Sequence, residues 1–214
     1  MASDQTTEIA RFGDLDIAWD PRVLQPRAWT AAQSEWAAEL SPQCPDGPIL
    51  ELFCGAGQIG LLAASLTGRP LVQADLDPVA AAYVRRNAAA AGLTTDVREA
   101  AVEQALAPDE RFGLAVVDPP WVPTARIGTF PEDPPLAIDG GADGTDLVVL
   151  GVRVALRHLS PGGNAVVQVG DPGQVELIRS LLPEGGTGDA APWAVLEVRD
   201  FMPRGMLVRV GPQP

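Results

Sequence analysis

The sequence predicts an α/β fold: a doubly wound, mostly parallel seven-stranded sheet closed by a C-terminal antiparallel hairpin. Three observations carry that prediction. From Pro48 onward, short apolar runs alternate with helical stretches. The runs at 49–53 and 114–117 are nearly continuous in apolar residues, as expected of strands buried on both faces. A glycine-rich turn, Gly55-Ala56-Gly57-Gln58-Ile59-Gly60, joins the first of these runs to a helix. The 214 residues are 46% hydrophobic and 5% aromatic, the size and make-up of one Ala-, Val- and Leu-rich core.

The elements follow in order. An N-terminal arm is expected over 1–20, where Phe12, Leu15, Ile17 and Trp19 alternate as in a short strand, ahead of a single domain over 21–214. Ala32, Trp36 and Leu40 fall near helical spacing within 30–40, and Ser41-Pro42 ends that helix. Then come a strand at 49–53, a helix at 58–65, a strand at 71–74, a helix at 79–91, and strands at 95–98 and 114–117. Residues 122–142 form a long irregular segment with Pro123, Pro131, Pro134 and Pro135, and a loop of that length in a compact domain is usually functional. A helix at 146–159, a turn at Gly162-Gly163, a strand at 165–169 and a helix at 173–182 complete the wound part. The runs 195–198 and 206–210 flank 200–205 as the closing hairpin.

Composition excludes several chemistries. The formal charge is -13, from 28 acidic and 15 basic residues, and every basic residue is arginine. Without lysine there is no Schiff-base or amine nucleophile. The acidic field repels polyanions and no arginine run offsets it, so nucleic acid is the less expected partner. No apolar stretch is long enough for a membrane span. Cys44 and Cys54 are read as free thiols of a reducing cytoplasm, and no metal-ligand cluster is present. His158, the only histidine, reads as a helix C-terminal cation.

Two constellations carry chemistry. Gly55, Gly57 and Gly60 keep the G-x-G-x-x-G spacing of a Rossmann-like nucleotide site, which alone fits a nicotinamide or flavin equally well. Glu51 and Phe53 lie at the end of the preceding strand, and a carboxylate there suits the ammonium of an amino-acid moiety, favouring S-adenosylmethionine. Asp75 follows the glycines by about 20 residues, the distance of a ribose-binding acid, with Leu76 beside it for the adenine. Asp77 is the expected cap of the helix beginning at Pro78. The second constellation is Asp118-Pro119-Pro120-Trp121 after the buried run. Prolines lack N–H groups, so their carbonyls and the Asp118 carboxylate form a cluster of acceptors suited to an NH2 group, and Trp121 can lie against a planar substrate. Asp133-Pro134-Pro135-Leu136 repeats the tripeptide without a preceding strand and reads as loop. Arg27, Arg126 and Arg204 are candidate substrate contacts that ordinary ion pairs explain as well.

At these residues the chain resembles the class I S-adenosylmethionine-dependent methyltransferases, and among them the HemK family of protein-glutamine N5-methyltransferases. Val23-Leu24-Gln25-Pro26-Arg27-Ala28-Trp29-Thr30 looks like that family's V-L-x-P-R-x-x-T segment, and 135–146 resembles its P-x-L-A-L-D-G-G-x-D-G-L-D stretch. The resemblance implies methyl transfer from S-adenosylmethionine to a planar nitrogen of a protein or small molecule, with Asp118 and the Pro119 carbonyl holding the acceptor. Three departures stand out. Asp118 replaces the asparagine of N-P-P-Y, and D-P-P-[YW] is similar to the motif of nucleic-acid amino-methyltransferases. Ala101 aligns with an adenine-binding acid, leaving Glu99 nearby. Bacterial members also carry a further N-terminal helical domain. Alternative readings are therefore an exocyclic-amine methyltransferase of RNA or DNA and a non-catalytic S-adenosylmethionine-binding protein.

Overall fold

The computed structural model describes residues 6–182 and 192–213. In chain order it contains β1 (Glu8–Phe12), β2 (Leu15–Trp19), α1 (Ala31–Leu40), β3 (Ile49–Leu52), α2 (Gln58–Thr67), β4 (Leu71–Asp75), α3 (Pro78–Ala91), β5 (Thr95–Glu99) and β6 (Phe112–Val117). There follow α4 (Pro135–Ile138), α5 (Asp146–His158), β7 (Leu159–Val169), α6 (Pro172–Leu181), β8 (Trp193–Asp200) and β9 (Met206–Pro212). The main sheet has seven strands in the order β5-β4-β3-β6-β7-β9-β8, parallel from β5 through β7 and antiparallel at β9 and β8. The expected mostly parallel α/β architecture and its closing hairpin are therefore present.

Burial explains the central strands. All residues of β3 and β6 are buried, because helices cover both faces of the sheet. One core packs Ile49, Leu114 and Val166 against α1, α2 and α3, and the other packs Leu50, Val117 and Val167 against α5 and α6. The helix signals act where the sequence places them. Asp77 accepts the Val79 N–H ahead of Pro78, and Asp171 accepts the Gln174 N–H ahead of Pro172.

Two local expectations change. The alternation from Phe12 to Trp19 is not one extended arm: Phe12 pairs with Leu15, and β1 and β2 form an antiparallel hairpin. That hairpin is docked, with Asn87 of α3 bonding both backbone groups of Ala18 and the Ala56 carbonyl. Gly162-Gly163 also lies within β7 rather than before it. The register jumps there from Phe112↔Leu159 to Leu114↔Asn164, so the extra residues bulge out of the sheet.

Candidate active site

The chain leaves β3 toward β4 and β5 on one side, and leaves β6 toward β7 on the other. The crevice between the carboxyl ends of β3 and β6 is thus the switch point of the sheet, where ligands of such folds bind. Leu52 and Val117 are register partners, so the glycine turn and the Asp118 loop leave adjacent strands at one level. A cavity of about 270 Å³ opens there.

Phe53, Gly55, Asp75 and Leu76 line one end of it. Phe53 has φ of +60°, a backbone state that costs a non-glycine residue about 1–3 kcal/mol and persists where surrounding packing enforces it. Asp75 accepts the Gly55 and Asp77 N–H groups at 2.8 and 2.9 Å, and its remaining lone pairs can take ribose hydroxyls. Burial raises its pKa, and those backbone N–H groups oppose the shift. Leu76 is exposed at the rim, and Ala101 and Glu103 continue the wall. Glu99 is not among the lining residues and lies 3.8 Å from Arg85.

Glu51, Gly57 and Gly60 stand behind this wall rather than on it. Glu51 is fully buried, accepts the Gly60 N–H at 2.9 Å and takes a second bond from the Gln73 amide. Burial pushes its pKa up to about 8 against those two bonds. Gly57 adopts φ of +84° in the turn, and a Cβ on Gly60 would collide with the Glu51 carboxylate. The third glycine of the motif therefore admits a carboxylate under the loop. Cys54, also buried here, has its thiol pKa raised well above normal by burial and by Asp75 and Glu51, which makes it a poor nucleophile.

Asp118, Pro119, Pro120 and Trp121 line the other end of the cavity. The Asp118 side chain has no hydrogen-bond partner among the described residues, and burial pushes its pKa up to about 7 while Arg27 pulls it down. Trp121 is fixed from two sides. Its ring lies where a Cβ on Gly170 would be, and its carbonyl accepts from Gln174 at 3.1 Å. The buried Gln174 also donates to the Gly144 carbonyl and accepts the Gly170 N–H, so one side chain joins the Asp118 loop, the 139–146 stretch and the end of β7. Gly140 and Gly144 are equally crowded: a Cβ on either would strike the backbone between Pro120 and Pro123. The segment that resembles P-x-L-A-L-D-G-G-x-D-G-L-D thus forms the seat of the Asp118 loop.

The second Asp-Pro-Pro is not plain loop. Pro135 opens α4, and Asp133 is buried at the cavity wall in an ion pair with Arg27. Arg204, on the turn between β8 and β9, also lines the cavity, whereas Arg126 does not. His158 ends α5 as its position in the sequence suggests, but it is buried there, and its Nδ1 donates to the Glu110 carbonyl at 3.1 Å. Sequence reasoning gave no role to the buried glutamines Gln33, Gln58, Gln73, Gln168 and Gln174. Gln174 is described above; Gln33 bonds the Val117 and Val166 carbonyls, and Gln168 lines the cavity. For Gln168 the signal was available, since a polar residue interrupting Ala-Val-Val-Gln-Val is unusual in a buried strand.

This architecture, with its switch-point cavity, glycine turn and acceptor loop, is that of the Rossmann-like methyltransferases. The family model described as "Methyltransferase small domain" matches residues 35–129. The release factor glutamine methyltransferase of Xylella fastidiosa (strain Temecula1) is 33% identical over 196 residues, covering 88% of this chain and 70% of that protein. The protein of the same name from Geobacter sulfurreducens is 34% identical over 184 residues, covering 83% of this chain. The chain belongs to the release factor glutamine methyltransferase family, also called HemK. It spans 63% of the length of the Geobacter protein. The tRNA (uracil-54, C5)-methyltransferase of Pyrococcus abyssi, solved with S-adenosyl-L-homocysteine, shares the fold with a TM-score of 0.60 and 19% identity over 96% of this chain and 43% of that one. Among the described residues no helix is long and apolar enough to cross a membrane.

Proposed function

We propose that this protein transfers a methyl group from S-adenosylmethionine to the side-chain amide nitrogen of a glutamine in a peptide release factor. The observation that carries the reading is Asp118: a carboxylate with no side-chain partner among the described residues, in a switch-point cavity, followed by prolines, which have no N–H to satisfy neighbouring acceptors. The name of the family supplies the acceptor. The residues at the other end suit the cofactor, with Asp75 at the ribose, Leu76 beside the adenine, Gly55 and Phe53 along the turn, and Glu51 as a buried carboxyl that braces the turn from beneath. Bound there, the cofactor supplies an electrophilic methyl group and leaves as S-adenosylhomocysteine.

The protein's own contribution is alignment and a dry site. Asp118 and the Pro119 carbonyl accept the two N–H bonds of the amide, which turns its nitrogen toward the methyl carbon. The nitrogen would take the methyl carbon that the sulfonium gives up with its bonding pair left on sulfur, and would then shed one proton. Asp118, with a pKa near neutrality, is placed to take it. The test is transfer of labelled methyl to a purified release factor, with the modified residue mapped by mass spectrometry. Methylation of a glutamine is expected. Methylation of an exocyclic amine in RNA, with none in the release factor, overturns the reading, and cofactor binding without transfer to either favours a non-catalytic role.

A further inference from the structure

Asp118 and Gln168 stand side by side. Val117 of β6 and Val167 of β7 are register partners, so the next rung places Asp118 beside Gln168 at the carboxyl ends of adjacent parallel strands. Gln168 is 5% exposed and lines the cavity, and among the described residues neither its Oε1 nor its Nε2, the donor of the carboxamide, has a hydrogen-bond partner. Unpartnered buried polar groups are costly, and of the glutamines with an orphan Oε1 among the described residues only Gln168 and Gln58 line the cavity, where a ligand can complete them. Gln33, the neighbouring buried glutamine, already donates its Nε2 to the Val117 and Val166 carbonyls. Gln58 also lines the cavity with an unpartnered Oε1, but it opens α2 beside the glycine turn, at the cofactor end.

An acceptor amide presents two N–H donors and one carbonyl acceptor. Ionised Asp118 and the carbonyls of two prolines can meet the donors, and none of them can meet the carbonyl. We infer that Gln168 supplies the missing donor, so that β6 holds the N–H side of a substrate carboxamide and β7 holds its acyl oxygen. The pair fixes the plane of the amide, and it discriminates a carboxamide from an exocyclic amine, which brings no acyl oxygen to Gln168. This inference rests on the amide reading given above, and makes Gln168 a specificity-determining residue.

The experiment compares wild type, Gln168→Leu, Gln168→Glu and the double variant Gln168→Glu/Asp118→Asn. Methyl transfer to a purified release factor is measured alongside S-adenosylhomocysteine affinity. Gln168→Leu should lower kcat/KM for the release factor by about tenfold or more and leave the S-adenosylhomocysteine Kd within about twofold. Gln168→Glu should cost more, because two carboxylates then face one another and the acyl oxygen. Adding Asp118→Asn should recover about tenfold of that loss, since carboxamide and carboxylate have then exchanged strands. Wild-type kinetics in Gln168→Leu, no recovery in the double variant, or a parallel loss of S-adenosylhomocysteine binding overturns the pairing alone. Wild-type transfer to an RNA amine and none to the release factor overturns the amide reading and the pairing together.

Discussion

Asp118-Pro119-Pro120 and Asp133-Pro134-Pro135 are the same tripeptide 15 residues apart in sequence, and both line one cavity. Their aspartates are opposites. Asp133 is buried in an ion pair with Arg27, and its prolines lead into a one-turn helix. Asp118 follows a fully buried strand, has no side-chain partner among the described residues, and burial pushes its pKa up to about 7. What sets the two carboxylates apart is thus the partner each is given. Arg27 joins the two: paired with Asp133, it still lowers the pKa of Asp118 from across the cavity.

That contrast can be broken most directly at Asp118. Asp118→Ala should reduce methyl transfer by about a thousandfold or more through lost alignment, while S-adenosylhomocysteine binding by calorimetry stays close to wild type. Asp133→Ala should leave turnover within about tenfold and lower thermal stability instead, because it strands Arg27 without its partner. Comparable activity losses from the two would mean that the copies are not functionally distinct.

Next in size is Gln174→Ala, which unmakes bonds to the Trp121 and Gly144 carbonyls and the Gly170 N–H. It should destabilise the fold by about 1–3 kcal/mol in urea titrations and reduce kcat more than cofactor affinity. Smaller still is the effect of Arg27 on pH. If ionised Asp118 holds the acceptor, kcat/KM rises with pH through about 7 and then levels. Asp133→Asn frees the Arg27 charge and should move that limb to lower pH, whereas Arg27→Leu should move it higher. A limb that stays fixed in both variants would assign it to another group.

The smallest effect is on stability. Asp118, Glu51 and Asp75 all have raised folded-state pKa values, so the native state binds more protons than the unfolded chain above about pH 4. Their contribution is complete at low pH and is lost as pH rises, for Asp118 through about 7 and for Glu51 through about 8. Glu110, held down to about 2 by Arg98, acts oppositely, but its contribution is lost only below about pH 4, outside that window. The ligand-free protein should therefore melt a few degrees lower at pH 8 than at pH 5, with a smaller difference in Asp118→Asn.

The sheet and the crevice were legible because they are written in local pattern: all-buried β3 and β6, the glycine turn between β3 and α2, and proline-led helix starts at Pro78 and Pro172. What escaped depends on distant pairing. Arg27 and Asp133 are 106 residues apart, and nothing in Asp133-Pro134-Pro135 itself announces an arginine. Glu51 was placed at the cavity because it ends a strand, yet the amide of Gln73, 22 residues on, draws it underneath. β1 and β2 read as a single strand in the sequence, although the three-residue step from Phe12 to Leu15 breaks the alternation at Gly13-Asp14, where the chain turns.

The order β7-β9-β8 has a consequence for how this molecule is made. β9 lies between β7 and β8, so β8 has no strand in the main sheet to pair with until a later-synthesised segment has been inserted. Arg204, on the turn between them, joins the cavity wall through the same event. The far edge of the sheet, and the part of the cavity wall that Arg204 forms, are therefore completed only when β9 has taken its place against β7.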